Sequence, residues 1–267
     1  ELFKYYPDSY GPYTENVHIT HNINKFSLRF FRNLLFPNSP YYTPNDIKDG
    51  SNILEIGCAH GSYLEFLNEL NPRTNLIGVE LNEQAAEIAR KRGFEIINQP
   101  FEDINFNSKF NYVFMWMVFE HLPYPKQVLE RLSLVTESGA EIIFSVPNID
   151  SVEFKIFKKH AQHADVPRHV SHFTLPFLRK LFSDHGFKYI RHQNIYDPVT
   201  AIKSLSIFLA SKFGKQNTMS RFLDKYEHGP FSDVRGKILL YTFGFLVMLV
   251  QRLLGKTPGV IYIFKKN

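Results

Sequence analysis

Three groups of residues in this sequence could do chemistry. Glu55, Gly57, Ala59 and Gly61 alternate through a turn that follows an apolar run, Asn52 to Ile56. Glycines at 57 and 61 let a ligand approach the backbone, because no Cβ stands in the way. Glu55 can accept hydrogen bonds from an amine or a cation, and it would repel a pyrophosphate. That separates the turn from the dinucleotide pattern G-x-G-x-x-G, whose helix N-terminus holds phosphates. The second group is a single acid, Glu80, which ends the run Leu76 to Val79 and is placed to bind the two hydroxyls of a ribose. The third is imidazole: His121, His169 and His172. Histidine titrates near neutral pH, so it is the natural general base for a hydroxyl. Along the sequence no His, Asp or Glu cluster has metal-ligand spacing, so no metal is expected. A single cysteine, Cys58, rules out a disulfide framework and a cysteine zinc site.

Elements must hold these residues in place. The spacing predicts a strand at about 52–57, a helix at about 61–70 and a strand at about 75–80. A helix follows at about 82–92, with Asn82 as its cap and Gly93 as its stop. Phe94–Ile97 and the continuous apolar run Phe110–Trp116 read as strands, the second central in a parallel sheet. A helix at about Tyr124–Leu134 leads to a strand from Gly139 through Pro147. Thr174 caps a helix running to about His185, with Phe177, Leu178, Leu181 and Phe182 expected inward. Strands at Lys188–Asn194 and Gly259–Phe264 complete the set. Strand and helix alternate, which predicts a parallel sheet with helices on both faces.

Taken together, these segments resemble the class I S-adenosylmethionine (SAM)-dependent methyltransferases. The resemblance rests on Glu55-x-Gly57-x-Ala59-x-Gly61, on Glu80, on Phe101-Glu102-Asp103 and on Glu120-His121-Leu122-Pro123, the family's E-H-L-P signature. Pro167-x-His169-x-x-His172-Phe173-Thr174 matches the P-x-H-x-x-H-F-T/S segment of a large subfamily acting on sugars, lipids and other small acceptors. Ala59 replaces the family's central glycine, and Pro100 stands where an acid often meets adenine. The resemblance implies a Rossmann-like α/β fold with seven strands, the last antiparallel beside the sixth. It implies SAM as cofactor, bound by Glu55, Gly57, Cys58, Ala59, Gly61, Glu80, Leu81, Phe101, Glu102 and the backbone of Met115. His169 is the favoured base, in a Pro-Arg-His loop bordering the acceptor pocket, ahead of His121 and His172. Glu120 is expected to hold its loop. Lys158, Lys159, His160 and His163 read as a solvated, mobile face.

The domains expected are an aromatic-rich arm or lid at 1–50, the SAM-binding core at 51–197, a basic, hydrophobic helical insertion at 198–257 and a final core strand at 258–267. In the arm, Tyr5, Tyr6, Tyr10 and Tyr13 precede a helical pattern from about Thr20 to Phe36. The net charge is +5. From residue 201 onward there are 11 Lys/Arg against 3 Asp/Glu, so the end of the chain is basic and the rest slightly acidic. Within the insertion, Ile238 to Leu254 is apolar but falls short of the roughly 30 Å hydrocarbon core, at about 1.5 Å per residue. It suits an interfacial helix on an anionic membrane, or a buried helix or homodimer contact. No signal-peptide pattern opens the sequence, and the expected location is the cytoplasm, peripheral on a membrane.

The leading expectation is O-methylation of a sugar or lipid-linked hydroxyl. A nucleic-acid methyltransferase is disfavoured, because the basic residues interleave with apolar runs rather than forming a stripe. A catalytically silent docking protein is disfavoured by the intact Glu55, Gly57, Gly61 and Glu80.

Overall fold

The computed structural model describes residues 41–44, 46–214 and 234–267. The aromatic lid pattern and the cluster of Tyr5, Tyr6, Tyr10 and Tyr13 lie outside them. β1 (Asn52–Ile56), α1 (Ser62–Leu70), β2 (Asn75–Val79), α2 (Glu83–Lys91), β3 (Glu95–Ile97), β4 (Phe110–Trp116), α3 (Pro125–Val135) and β5 (Thr136–Pro147) follow the alternating pattern. Then come α4 (Val152–Phe157), α5 (Leu175–Ser183), β6 (Phe187–Ile195), α6 (Pro198–Phe213), α7 (Val234–Leu254) and β7 (Gly259–Lys266). The strands form a seven-stranded sheet in the order β3-β2-β1-β4-β5-β7-β6. β7 runs antiparallel to both β5 and β6, and the other neighbours pair in parallel. This is the Rossmann-like methyltransferase sheet, with its last strand antiparallel.

Side chains alternate across the pleat, so successive residues feed two cores. Leu54, Ile56, Val113, Met115, Ile142, Phe144, Tyr262 and Phe264 fill one face, and Ile53, Phe114, Ile143, Ile261 and Ile263 the other. Phenylalanines dominate the first core: Phe182 stacks on Phe264 at 4.0 Å between centroids, and Phe144 lies parallel to Phe182 at 5.1 Å.

Local signals fix the helix ends. Asn82 accepts a hydrogen bond from Ala85 N at 2.9 Å, and Gly93 takes φ +95° just past α2. Thr174 caps α5 through Phe177 N. Phe177 itself is 52% exposed, contrary to the inward placement expected, because the buried stripe of α5 is Leu178, Leu181 and Phe182. Phe177 sits one step off that stripe. β5 starts three residues before Gly139, and its pairing with β4 shifts register between Phe110 and Tyr112. α7 starts at Val234, four residues before the apolar run Ile238 to Leu254.

α6 and α7 stand between β6 and β7 in the chain and pack over the segment that follows β5. Ser204 accepts from Gln162 N at 2.8 Å, and buried Gln251 donates to buried Glu153 at 3.2 Å. Among the described residues, no helix is long and apolar enough to cross a membrane.

Candidate active site

The carboxyl edge of an open parallel sheet is where ligands bind, and the candidate residues collect there. The turn after β1 is anchored to the end of β2: Gly57 N and Cys58 N both donate to Val79 O, at 2.7 and 3.1 Å. Gly57 and Gly61 take φ +73° and +74°, which L side chains rarely adopt. A Cβ on Gly57 would stand 2.5 Å from Val118 Cγ2, and one on Gly61 would stand 3.0 Å from the Cβ of Ala89. Ala59 holds φ +45° without the freedom of glycine. Cys58 is buried, and burial pushes its thiol up, so it packs rather than reacts.

Glu80 ties the turns together. Its Oε2 accepts from Ala59 N at 2.9 Å and its Oε1 from Asn82 N at 2.7 Å. Asn98, which sequence reasoning passed over, donates to Glu80 O at 2.7 Å. Burial raises the Glu80 carboxyl despite these N–H donors. Glu55 is 3% exposed, and its Oε2 has no hydrogen-bond partner among the described residues. Burial, with Glu80 close by, raises its carboxyl well above the usual range. A buried orphan acceptor beside a second carboxylate calls for a cation, and a backbone bared by glycine gives one room. These residues therefore fit the charged methionine end of SAM.

Leu81 is exposed beside Glu80, while Phe101 is buried and Glu102 half-buried in a single turn of 3₁₀ helix after β3. Met115 lies within β4 with its side chain fully buried. Its backbone pairs with β5 at Phe144, whereas pairing of β4 with β1 stops at Phe114. Past the strand end, Met117 takes φ +53° and donates to Ser145 Oγ at 3.0 Å. Tyr41 stacks on Tyr63 at 5.3 Å and meets the edge of Trp116 at 5.2 Å. The Trp116 indole N–H is buried without a partner among the described residues. Tyr41 and Trp116 carry no motif in the sequence; only their aromatic character hinted at them.

The histidines come from two loops that the fold pins together. Glu120 O, in the turn after β4, accepts from Val170 N at 3.0 Å and Ser171 N at 3.2 Å. The second loop reaches the same edge because Asn148, just past β5, bridges to Phe173 in parallel. His121 and His169 lie edge to face with centroids 4.6 Å apart. His121 Nδ1 bonds Arg168 O at 3.1 Å, and His169 Nδ1 bonds His163 O at 2.8 Å. A carbonyl only accepts, so each Nδ1 carries the proton and each Nε2 keeps a lone pair. Burial lowers both imidazoles, His169 to about 4 with help from His121, so both are neutral at pH 7. Asp165 Oδ2 lies 3.8 Å from His169 Nε2 and is held by Arg168. His172 is less closely engaged, 3.4 Å from His163 O and edge-on to Phe154. His163 is half-buried, with its imidazole lowered by loss of solvent, and its carbonyl orients His169. That corrects its reading as part of a solvated face.

Glu120 is fully buried, and neither carboxylate oxygen has a partner among the described residues. Burial pushes it up to about 8. Glu120, His121 and His169 each bring a ligand-type atom within 4.8 Å of the other two. Spacing along the sequence hid this cluster, because His121 and His169 belong to loops after different strands.

Known proteins frame this geometry. The family model described as a methyltransferase domain matches residues 21–192. MJ1123 of Methanocaldococcus jannaschii, an uncharacterized protein, is 25% identical over 156 residues, covering 58% of this chain and 73% of its own length. A mitochondrial ubiquinone biosynthesis O-methyltransferase of Candida albicans is 28% identical over 111 residues, and the match spans 38% of this chain and only 34% of that protein. Among solved structures, the phosphoethanolamine N-methyltransferase 2 of Haemonchus contortus, in complex with SAM, superposes with a TM-score of 0.52 at 16% identity, covering 83% of this chain and 50% of that one. The magnesium protoporphyrin IX methyltransferase of Synechocystis PCC 6803, with bound S-adenosylhomocysteine, gives 0.50 at 12% identity, with 82% and 75% covered. With the family match spanning well over half of its length, the chain belongs to the methyltransferase domain family and is a SAM-dependent methyltransferase.

Proposed function

We propose that this protein methylates a hydroxyl of a small molecule, a sugar or lipid-linked acceptor, and that the hydroxyl is met at the cluster of Glu120, His121 and His169. The observation that carries this is a juxtaposition. The glycine turn packs directly on Val118, two residues before Glu120. The cofactor turn and the histidine cluster therefore share one edge of the sheet.

SAM supplies a methyl carbon on a sulfonium, which an incoming nucleophile takes while the sulfide leaves. The protein's task is to orient the nucleophile and to provide for its proton. Glu55 takes the ammonium of the methionine end, with Gly57, Cys58, Ala59 and Gly61 giving it backbone. The lone pairs that Glu80 keeps beyond Ala59 N and Asn82 N serve the ribose hydroxyls. Leu81, Phe101 and Glu102 flank the adenine, and the backbone of Met115 closes the site. The Nε2 lone pair of a neutral imidazole can accept the hydroxyl's proton, and the Glu120 carboxyl can hydrogen-bond the acceptor beside it. The likeness to a ubiquinone biosynthesis O-methyltransferase supports an oxygen acceptor carried by a lipid. Exposed Leu246, Leu249, Val250, Leu253 and Leu254 on α7 support docking at an anionic membrane surface.

The test is methyl transfer from labelled SAM to a panel of sugars, quinol-type lipids, amines and nucleic acids. Hydroxyl products are expected, with His169→Gln lowering kcat and leaving S-adenosylhomocysteine affinity unchanged. Methylation confined to amines or nucleic acid, or a His169→Gln variant at full rate, would sink the proposal.

A further inference from the structure

We infer that Glu120, His121 and His169 form a binding site for a divalent transition-metal cation. Three ligand-type atoms already lie within 4.8 Å of one another. Around a cation bound at about 2.0–2.2 Å, tetrahedral ligands stand roughly 3.4 Å apart. Small side-chain adjustments close that gap.

Glu120 supplies an independent observation. It is fully buried, and neither oxygen has a partner among the described residues. Leaving such a group unmatched is costly, and a cation shared with two imidazoles is the compensation the neighbourhood offers. Its main chain is fixed as well, through Val170 N and Ser171 N.

The imidazoles are arranged as metal-binding histidines are. Each gives its Nδ1–H to a backbone carbonyl, Arg168 O or His163 O, which sets the tautomer and the ring direction. Asp165, 3.8 Å from His169 Nε2, adds negative charge nearby while staying paired with Arg168. Two nitrogens and one carboxylate suit Zn2+, Fe2+ or Mn2+, whereas Mg2+ and Ca2+ favour oxygen alone. Three protein ligands leave a position open to an oxygen, either water or an acceptor hydroxyl. That last role rests on the function proposed above. The cation site itself rests only on the donor geometry.

The test uses the full chain, stripped with a chelator and titrated with Zn2+ and Co2+. One equivalent should bind, and Co2+ should show the visible bands of low-coordinate nitrogen and oxygen ligation. Glu120→Gln, His121→Gln and His169→Gln should each weaken Zn2+ binding by roughly a hundredfold or more, at or beyond the 10–100-fold cost of losing an outer-shell partner. His185→Gln, outside the cluster, should bind as the parent does. S-adenosylhomocysteine titration of every variant checks that the fold is intact. A parent that binds S-adenosylhomocysteine but neither cation overturns the cation site and leaves the methyltransferase reading standing. Cluster variants that fold and bind Zn2+ as the parent does overturn it too. The Co2+ spectrum of the parent decides the matter even if a variant fails to fold.

Discussion

Gly57 and Val118 touch so closely that a methyl group on the glycine would sit 2.5 Å from Val118 Cγ2. The turn after β1 and the turn after β4 therefore set each other's position. Gly57→Ala meets both this contact and φ +73°, so it should cost about 1–3 kcal/mol of stability. It should also weaken S-adenosylhomocysteine binding tenfold or more by titration calorimetry. Adding Val118→Ala should relieve the contact and only part of the loss, since the dihedral strain remains. Full recovery in the double variant would mean that backbone strain plays no part.

Glu80 holds the turns together, and the ligand role proposed for it can be separated from that one. Glu80→Ala orphans Ala59 N and Asn82 N, each at about 1–3 kcal/mol for a donor left unsatisfied. The ligand-free protein should therefore melt earlier. S-adenosylhomocysteine affinity should fall as well. A lower Tm with unchanged affinity would leave Glu80 as a turn organiser alone.

Glu153 gives a pH signature. Burial pushes its carboxyl up to about 8, above an ordinary value of 4.5. Between those values the folded protein holds a proton that the unfolded chain releases. The stability this carboxyl contributes is thus complete below about pH 4.5 and is lost as pH rises through about 8. Glu153→Gln should reduce the downward slope of unfolding free energy across that window by about 1.4 kcal/mol per pH unit, the value for one proton. Denaturant melts at several pH values would measure it. An unchanged slope would show that the Glu153–Gln251 contact titrates normally.

The exposed face of α7 should bind lipid. Leu253 is 85% exposed and Leu246 55%. Replacing both by Glu should abolish co-sedimentation with anionic vesicles and leave S-adenosylhomocysteine binding intact. If parent and variant both stay in the supernatant, membrane docking is wrong and the face serves another purpose.

Much of this could be read in advance because it is local. Asn82, Gly93, Thr174 and the run Phe110–Trp116 act within a turn or two of their own position, and the elements fall where they point. The glycine turn and Glu80 were legible because one βαβ unit holds them. What escaped reading depends on distance. Glu120 looked like a loop brace, and half of that is right, since its carbonyl does pin Val170 and Ser171. Its orphaned carboxyl became visible only when the loop after β5 came to rest on the turn after β4. His163 looked like part of a charged surface, yet its carbonyl orients His169 from a segment that α6 holds through Ser204. Phe177 misled because a helix stripe is narrower than a run of apolar letters.

The placement of β7 has a consequence for how the molecule comes into being. Residues Gly259–Lys266 lie between β5 and β6, so one edge of β5 and the paired edge of β6 stay open until the residues after α7 have been made. On a ribosome the half from β1 to β5 can pair as it emerges. β6 and the helical insertion must wait, with open strand edges exposed to other chains. Loss of only those eight residues would therefore remove an interior strand and strand β6 with it, rather than trim the border.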